Sequence, residues 1–422
     1  MSEHKKALVF AGGGSKGAYQ IGAWKALREL GESFQIACGT SIGSINAGFY
    51  VQDDFDAAYE MWETLTADRI MTNGINFDKS LEGILSQRDQ LIPFIKTFIN
   101  SKGADVTPFH ENLRHYFDAE KFFSSPVDYA LMTVKYPSFT PFEVTKEDML
   151  PFGEDAWKWM AASGAAYPVF PVMNVNGEDF VDGGYYDNIP VATAFKRGAT
   201  EVLVIDLKTE KNHEGYIHHP RVKYIKPSRD LGTFLNFEKD ALRFSMSLGY
   251  NDTMKAYGHF YGLQYTFIPA PGDVEALCAV ASDFIDLLTR SEASFDFSKY
   301  VSKRQRVNTL EGSTTILSDV LGVDKPTDTQ LFIAALEMLL KSCSYEIDKN
   351  YRLGDLLYQL KTEADSLYPM LERGSDEAFP YVIGFIRSHS EPKNPVNKKL
   401  EEEDRRLLIF TAVLRALQQA RL

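Results

Sequence analysis

Twice within the first fifty residues an apolar run stops at a glycine and hands over to a helical pattern. Lys6 to Ala11 (Lys-Ala-Leu-Val-Phe-Ala) meets Gly12-Gly13-Gly14-Ser15-Lys16-Gly17. From Gly17 to Leu30 the residues Ile21, Trp24 and Leu27 then share one helical face, with Gly31 placed to cap the end. Phe34 to Cys38 repeats the move. It runs into Gly39-Thr40-Ser41-Ile42-Gly43, after which a helix is expected from Ile42 to about Val51. Strand, tight turn and helix, repeated in that order, is the rhythm of a parallel, doubly wound α/β sheet.

Further along, Val127 to Val134, Phe142 to Val144 and Glu201 to Asp206 read as strands, the last with the continuous apolar character of a buried parallel strand. Helical patterns cover Asp53 to Thr66, most of Asn73 to Phe123 with a proline start at Thr107-Pro108, Trp157 to Ala166, and Val191 to Arg197. Phe234 to Tyr257 is aromatic-rich at helical spacing, which suits core packing or the lining of an apolar channel. Asp179 to Asp182 leads into a third glycine segment, Asp182-Gly183-Gly184.

The pattern changes near Pro269-Ala270-Pro271-Gly272. Beyond it strand-like runs are few. Amphipathic faces run through Leu331 to Leu339, Leu353 to Leu367 (with Leu371 placed to extend it) and Leu407 to Leu417, the second with Leu353, Leu356, Leu357, Leu360 and Ala364 on one side. Residues 5–268 are therefore expected to form an α/β domain and residues 269–422 an all-helical domain, with the charged stretch from Ser388 to Arg406 as a solvated linker.

Composition narrows the partners. A formal charge of -13 argues against nucleic acid and against adsorption to anionic bilayers. Cys38, Cys278 and Cys343 are too scattered for a disulfide framework or a zinc site, so each thiol is expected to be a small buried apolar group. The opening residues lack a signal-peptide core, and no run of about 18 apolar residues occurs. A cytoplasmic location, with peripheral membrane contact as an option and an oligomeric state left open, is the expectation.

The three glycine segments carry the chemistry. Gly39-x-Ser41-x-Gly43 between strand and helix matches a nucleophile elbow, which pushes the serine oxygen out at the carboxyl edge of the sheet. The plainer alternative is a turn in which Ser41 only caps the helix. Gly12 to Gly17 also fits the G-x-G-x-x-G dinucleotide fingerprint, but the acid expected at the end of the second strand is replaced by the Ser41 turn. Amides at a helix start serve a phosphate or an oxyanion equally well. Asp182 before two glycines suits an ordinary turn if taken alone.

Together and in this order, the segments resemble the patatin-like phospholipase family, whose signature is G-x-G-x-x-G, G-x-S-x-G and D-G-[AG]. The run Ala162-Ser163-Gly164-Ala165-Ala166-Tyr167-Pro168 and the Asn188-Ile189-Pro190 segment resemble it too. The resemblance, over about residues 5 to 265, implies a three-layer α/β/α fold and a lipid acyl hydrolase of phospholipase A or lysophospholipase type. It implies Ser41 as nucleophile and Asp182 as its base in a serine–aspartate dyad, without cofactor or metal. Gly12, Gly13 and Gly14 are then the oxyanion donors, Gly13 and Gly14 foremost, supported by Lys16, Gly17, Gly39, Gly43, Gly183 and Gly184. Lys16 stands where the family usually has arginine; it would attract a headgroup, brace the loop or simply face solvent. A histidine triad would have to draw on His213, His218, His219, His259 or His389, none in a motif-like setting, and His110 and His115 fall on a helix. Two other readings remain: a nucleotide-binding module using Gly12 to Gly17, and an inactive scaffold acting through its C-terminal helices.

Overall fold

A computed structural model describes residues 4–72, 103–208, 215–294, 312–323, 325–367, 375–389 and 404–422. By internal packing the chain divides into two compact units, Met1–Ala256 and Tyr257–Leu422.

The first unit is built on an eight-stranded, mostly parallel sheet of order β5-β6-β3-β2-β1-β7-β8, with β4 paired to β3. The strands are β1 (Lys6–Phe10), β2 (Ile36–Thr40), β3 (Asp128–Lys135), β4 (Thr140–Thr145), β5 (Met173–Val175), β6 (Glu178–Asp182), β7 (Glu201–Ile205) and β8 (Val222–Ile225). β1 and β7 are almost entirely buried and β2 wholly so, which is why they read as unbroken apolar runs rather than alternating ones. Helices α1 (Ala18–Glu29), α2 (Ile42–Val51) and α3 (Phe55–Thr64) follow the first two strands as the sequence indicates.

The decisive feature is the edge of β3. β2 runs parallel to it and pairs along Asp128 to Met132, ending with Thr40 opposite Met132. β4 pairs antiparallel along Ala130 to Lys135, and β6 antiparallel along Thr133 to Lys135, ending with Asp182 opposite Thr133. A strand has two flanks. β4 overlaps both β2 and β6 along β3, so β2 and β6 must share the other flank, end to end. Register alone therefore brings the residue after Thr40 and the last residue of β6 together.

A tight turn has to leave that junction, and the glycines allow it. A Cβ on Gly39 would lie 2.2 Å from the Gly43 carbonyl oxygen, and one on Gly43 would lie 2.3 Å from that of Phe10. Ser41 between them has φ 54° and ψ −130°, a backbone conformation that costs a non-glycine residue strain.

The second unit is helical, as expected, with helices Asp273–Ser294, Ser313–Leu321, Asp328–Ser342, Leu353–Asp365, Ser375–His389 and Asp404–Gln419. Their apolar faces meet in one core that includes Phe284, Phe332, Leu336, Leu357 and Phe410. It also contains a short parallel pair, β9 (Thr266–Ile268) with β10 (Asn350–Arg352). That pairing draws the residues before Pro269 into this unit, upstream of the expected boundary. Glu337 fixes the same segment, its carboxylate accepting the N–H groups of Leu263, Gln264 and Tyr265. Cys38 and Cys343 are buried, but Cys278 is exposed, against expectation, because it sits on the outer face of its helix. The expected helix between Asn73 and residue 102, and most of the expected linker, lie outside the described residues. Ser388 and His389 close one helix, and Arg405 and Arg406 belong to the last.

Replacing Gly43 by alanine should force α2 away from β1. The expected outcome is a fall in the unfolding midpoint of several degrees, since overpacking of this kind costs roughly 1–3 kcal/mol, measured by thermal unfolding.

Candidate active site

Ser41 Oγ donates a 2.6 Å hydrogen bond to Asp182 Oδ2. It makes no capping bond to α2, so the capping reading of Ser41 does not describe its side chain. The other carboxylate oxygen, Oδ1, accepts the Gly184 N–H at 2.7 Å. Asp182 is only 8% exposed. Burial pushes its carboxyl up to about 6, against the opposing pull of its bonds from Ser41 and Gly184. A carboxylate of that strength is ionised at neutral pH yet holds a proton far more readily than a surface aspartate.

Ser163, fully buried, was not singled out by the sequence, although it stands in the Ala162 to Pro168 run. Its Oγ accepts the Ser41 N–H at 2.8 Å and donates to the Met132 carbonyl at 2.7 Å. It bridges the gap in the ladder where β2 stops and β6 begins, and so completes two backbone bonds that the strained turn leaves open. Asn188 has a comparable part. Its Nδ2 donates to the Gly12 carbonyl at 3.0 Å, and its own carbonyl accepts the Gly12 N–H at 3.1 Å.

That second bond alters one expectation. The Gly12 amide is committed to Asn188 and is not free to serve an oxyanion, so Gly12 braces the loop instead. The amides of Gly13 and Gly14 have no acceptor among the described residues, and both glycines line the cavity described below. Gly14 sits at φ +58°, where a Cβ would lie 2.1 Å from the Phe234 carbonyl oxygen, itself the acceptor of the Ser15 N–H at 2.8 Å. Under the loop, Asn46 Nδ2 donates to the Gly17 carbonyl and to Gln20 Oε1, and Gln20 Nε2 donates to the Ala11 carbonyl. Gly183 packs so closely on β3 that a Cβ would lie 2.1 Å from the Met132 oxygen.

Ser41 and Asp182 open into a cavity of about 400 Å³, within the usual range for small-molecule sites. Its walls are largely apolar, with Ile45, Met61, Leu65, Phe109, Leu113 and Phe170 among them. Phe234 and Phe237 also line it, the channel alternative that the aromatic stretch allowed. Lys16 and Lys208 are on the wall too, and neither ammonium has a hydrogen-bond or ion-pair partner among the described residues. No histidine among the described residues lines it. His213 lies outside them.

Residues 8–195 match the family model described as patatin-like phospholipase. This stretch is similar to patatin-like phospholipases. The lysophospholipase NTE1 of Cryptococcus neoformans is 27% identical over 200 residues, 47% of this chain and 11% of its own length. The human patatin-like phospholipase domain-containing protein 6 is 26% identical over 207 residues, 48% of this chain and 13% of its own. The chain thus spans only about a tenth of the length of these relatives. The crystal structure of VipD from Legionella pneumophila aligns over 99% of this chain and 92% of that one, with 14% identity and a TM-score of 0.39.

Ser163→Ala would leave the Ser41 amide and the Met132 carbonyl buried without partners. The expected cost is roughly 1–3 kcal/mol of stability by denaturant unfolding, whereas Ser163→Thr, which keeps the hydroxyl, should recover most of it.

Proposed function

We propose that the patatin-like domain is a lipid acyl hydrolase in which Ser41 is the nucleophile and Asp182 its base. The observation that carries the reading is the Ser41–Asp182 hydrogen bond at the wall of an apolar cavity. Asp182 takes the hydroxyl proton as Ser41 Oγ attacks the ester carbonyl. The N–H groups of Gly13 and Gly14, together with the positive end of α2, offset the charge on the tetrahedral oxyanion. The protonated Asp182 returns its proton to the departing alcohol, leaving an acyl ester on Ser41. Water, deprotonated by the same carboxylate, then releases the fatty acid.

Phospholipid or lysophospholipid is the substrate class favoured here. Apolar walls suit an acyl chain, and Lys16 and Lys208 put two positive charges beside it for a phosphate. Similarity to proteins named lysophospholipase and phospholipase points the same way. Substituting both lysines by methionine should raise KM for a lysophospholipid several-fold and leave hydrolysis of an uncharged p-nitrophenyl ester within about twofold.

A fluorophosphonate probe should label the protein at Ser41, and Ser41→Ala should abolish both labelling and ester hydrolysis. Nucleotide binding retained in Ser41→Ala, with no esterase activity in the native chain, would favour the nucleotide-module reading instead. The pH dependence has a definite sign. The base form of Asp182 disappears as pH falls through about 6, so kcat/KM should drop about tenfold per pH unit below that point. Stability runs the other way. The folded state holds this proton more tightly than the unfolded chain, so stability falls as pH rises from the ordinary aspartate value of 3.8 towards about 6, and the full loss persists above that. Asp182→Asn should therefore lose about 10³- to 10⁴-fold in turnover while its unfolding midpoint at pH 8 stays equal to or above the native one.

A further inference from the structure

Most of the large apolar side chains left in water on the N-terminal unit stand on, next to, or in ring contact with segments that line the cavity. Among its described residues six are exposed: Tyr59, Phe139, Leu150, Tyr185, Tyr186 and Phe234. Four of these gather around the cavity. Phe234, 44% exposed, lines it directly. Tyr185 and Tyr186, 52% and 63% exposed, directly follow the lining residue Gly184. Phe139, 48% exposed, sets its ring 5.6 Å from that of Tyr185.

Half-buried rings connect Phe139 and Tyr185 to the wall of the cavity. Tyr136 lies 5.9 Å from Phe139 and 5.3 Å from Tyr167, and the Tyr185 hydroxyl donates to the Tyr167 carbonyl. Tyr167 in turn follows Ala166 and precedes Val169, both on the cavity wall. Register explains why these rings stand where they do. β2 ends opposite Met132, but β3 continues to Lys135 before turning into β4. The hairpin tip from Tyr136 to Phe139 therefore rises past Ser41 on the edge of the sheet where the site opens.

Phe139 has two costs at that tip. Its φ of +53° is strained for any side chain but glycine's, and half of its ring remains in water. A turn that needed only to reverse the chain would carry glycine or asparagine there. Isolated surface hydrophobes need no explanation, but a cluster of this kind beside an apolar cavity does.

We propose that Phe139, Tyr185, Tyr186 and Phe234 form a rim that seats the site on an uncharged or zwitterionic lipid surface. The proposal rests on the lipid hydrolase reading, and it names the surface that presents the substrate. An acyl chain leaving a bilayer must enter the cavity through its mouth, so the bilayer has to touch what surrounds that mouth. Tyrosine and phenylalanine suit this boundary, because the ring enters the acyl region while the phenol stays hydrated. The chain's net charge of -13 works against attraction to anionic lipid, which leaves the apolar rim as the means of attachment.

The test uses the full chain, vesicles of phosphatidylcholine alone, and a water-soluble short-chain p-nitrophenyl ester. Phe139→Ser combined with Tyr186→Ser alters rim residues that do not line the cavity. The expected result is about a tenfold loss of vesicle binding by flotation and of vesicle hydrolysis at limiting lipid, with soluble-ester turnover within about twofold of native. Raising salt from 0.1 to 1 M should leave native binding undiminished. Vesicle binding by the double variant equal to native, or no vesicle binding by the native chain, would overturn the rim, and would leave a protein partner to account for the patch. So would soluble and vesicle activities falling together. Absence of soluble-ester hydrolysis in the native chain would instead remove the hydrolase reading, and flotation would still judge the rim.

Discussion

Two strands that approach from opposite directions along one flank of β3 set everything else at this site. β2 climbs as far as Met132 and turns away at Ser41; β6 descends as far as Thr133 and stops at Asp182. Sequence separation between Ser41 and Asp182 is large, yet the ladder fixes their backbones within one residue step. The hydroxyl and the carboxylate meet because the sheet leaves them nowhere else to go. Ser163 closes the break in the ladder, so the strained turn at Ser41 keeps its amide satisfied while its side chain stays free for Asp182.

The same junction explains the electrostatics. Asp182 is buried at the end of β6, and among the described residues Ser41 and the Gly184 amide are the groups that donate to its carboxylate. Desolvation therefore outweighs hydrogen bonding, and the carboxyl settles near 6 rather than near an exposed aspartate's value. A lone carboxylate of ordinary strength would be a poor base toward a serine hydroxyl. The burial that costs the fold stability is what makes an imidazole unnecessary in the proposed mechanism.

Much of this could be read from the residues. Gly39, Ser41 and Gly43 betray the elbow because no larger side chain fits against Phe10 and α2, and Asp182 is marked by the glycines that let it turn off β3. What the residues could not supply were the long-range pairings. Nothing local says that β6 runs antiparallel, or that Ser163 would reach both Met132 and Ser41. The commitment of the Gly12 amide to Asn188 was equally hidden, since it joins positions at opposite ends of the domain. In the second unit β9 and β10 escaped notice because three residues each are too few to show alternation.

The proposed chemistry requires Asp182 to be a raised carboxyl held by Ser41. A carbon-13 NMR titration of the Asp182 side-chain carboxyl tests this directly. The midpoint should fall near 6 in the native chain, and higher still in Ser41→Ala, where the hydrogen bond that favours the ionised form is gone. A midpoint at or below about 4, the usual range for an exposed aspartate, and unchanged by Ser41→Ala, would contradict it.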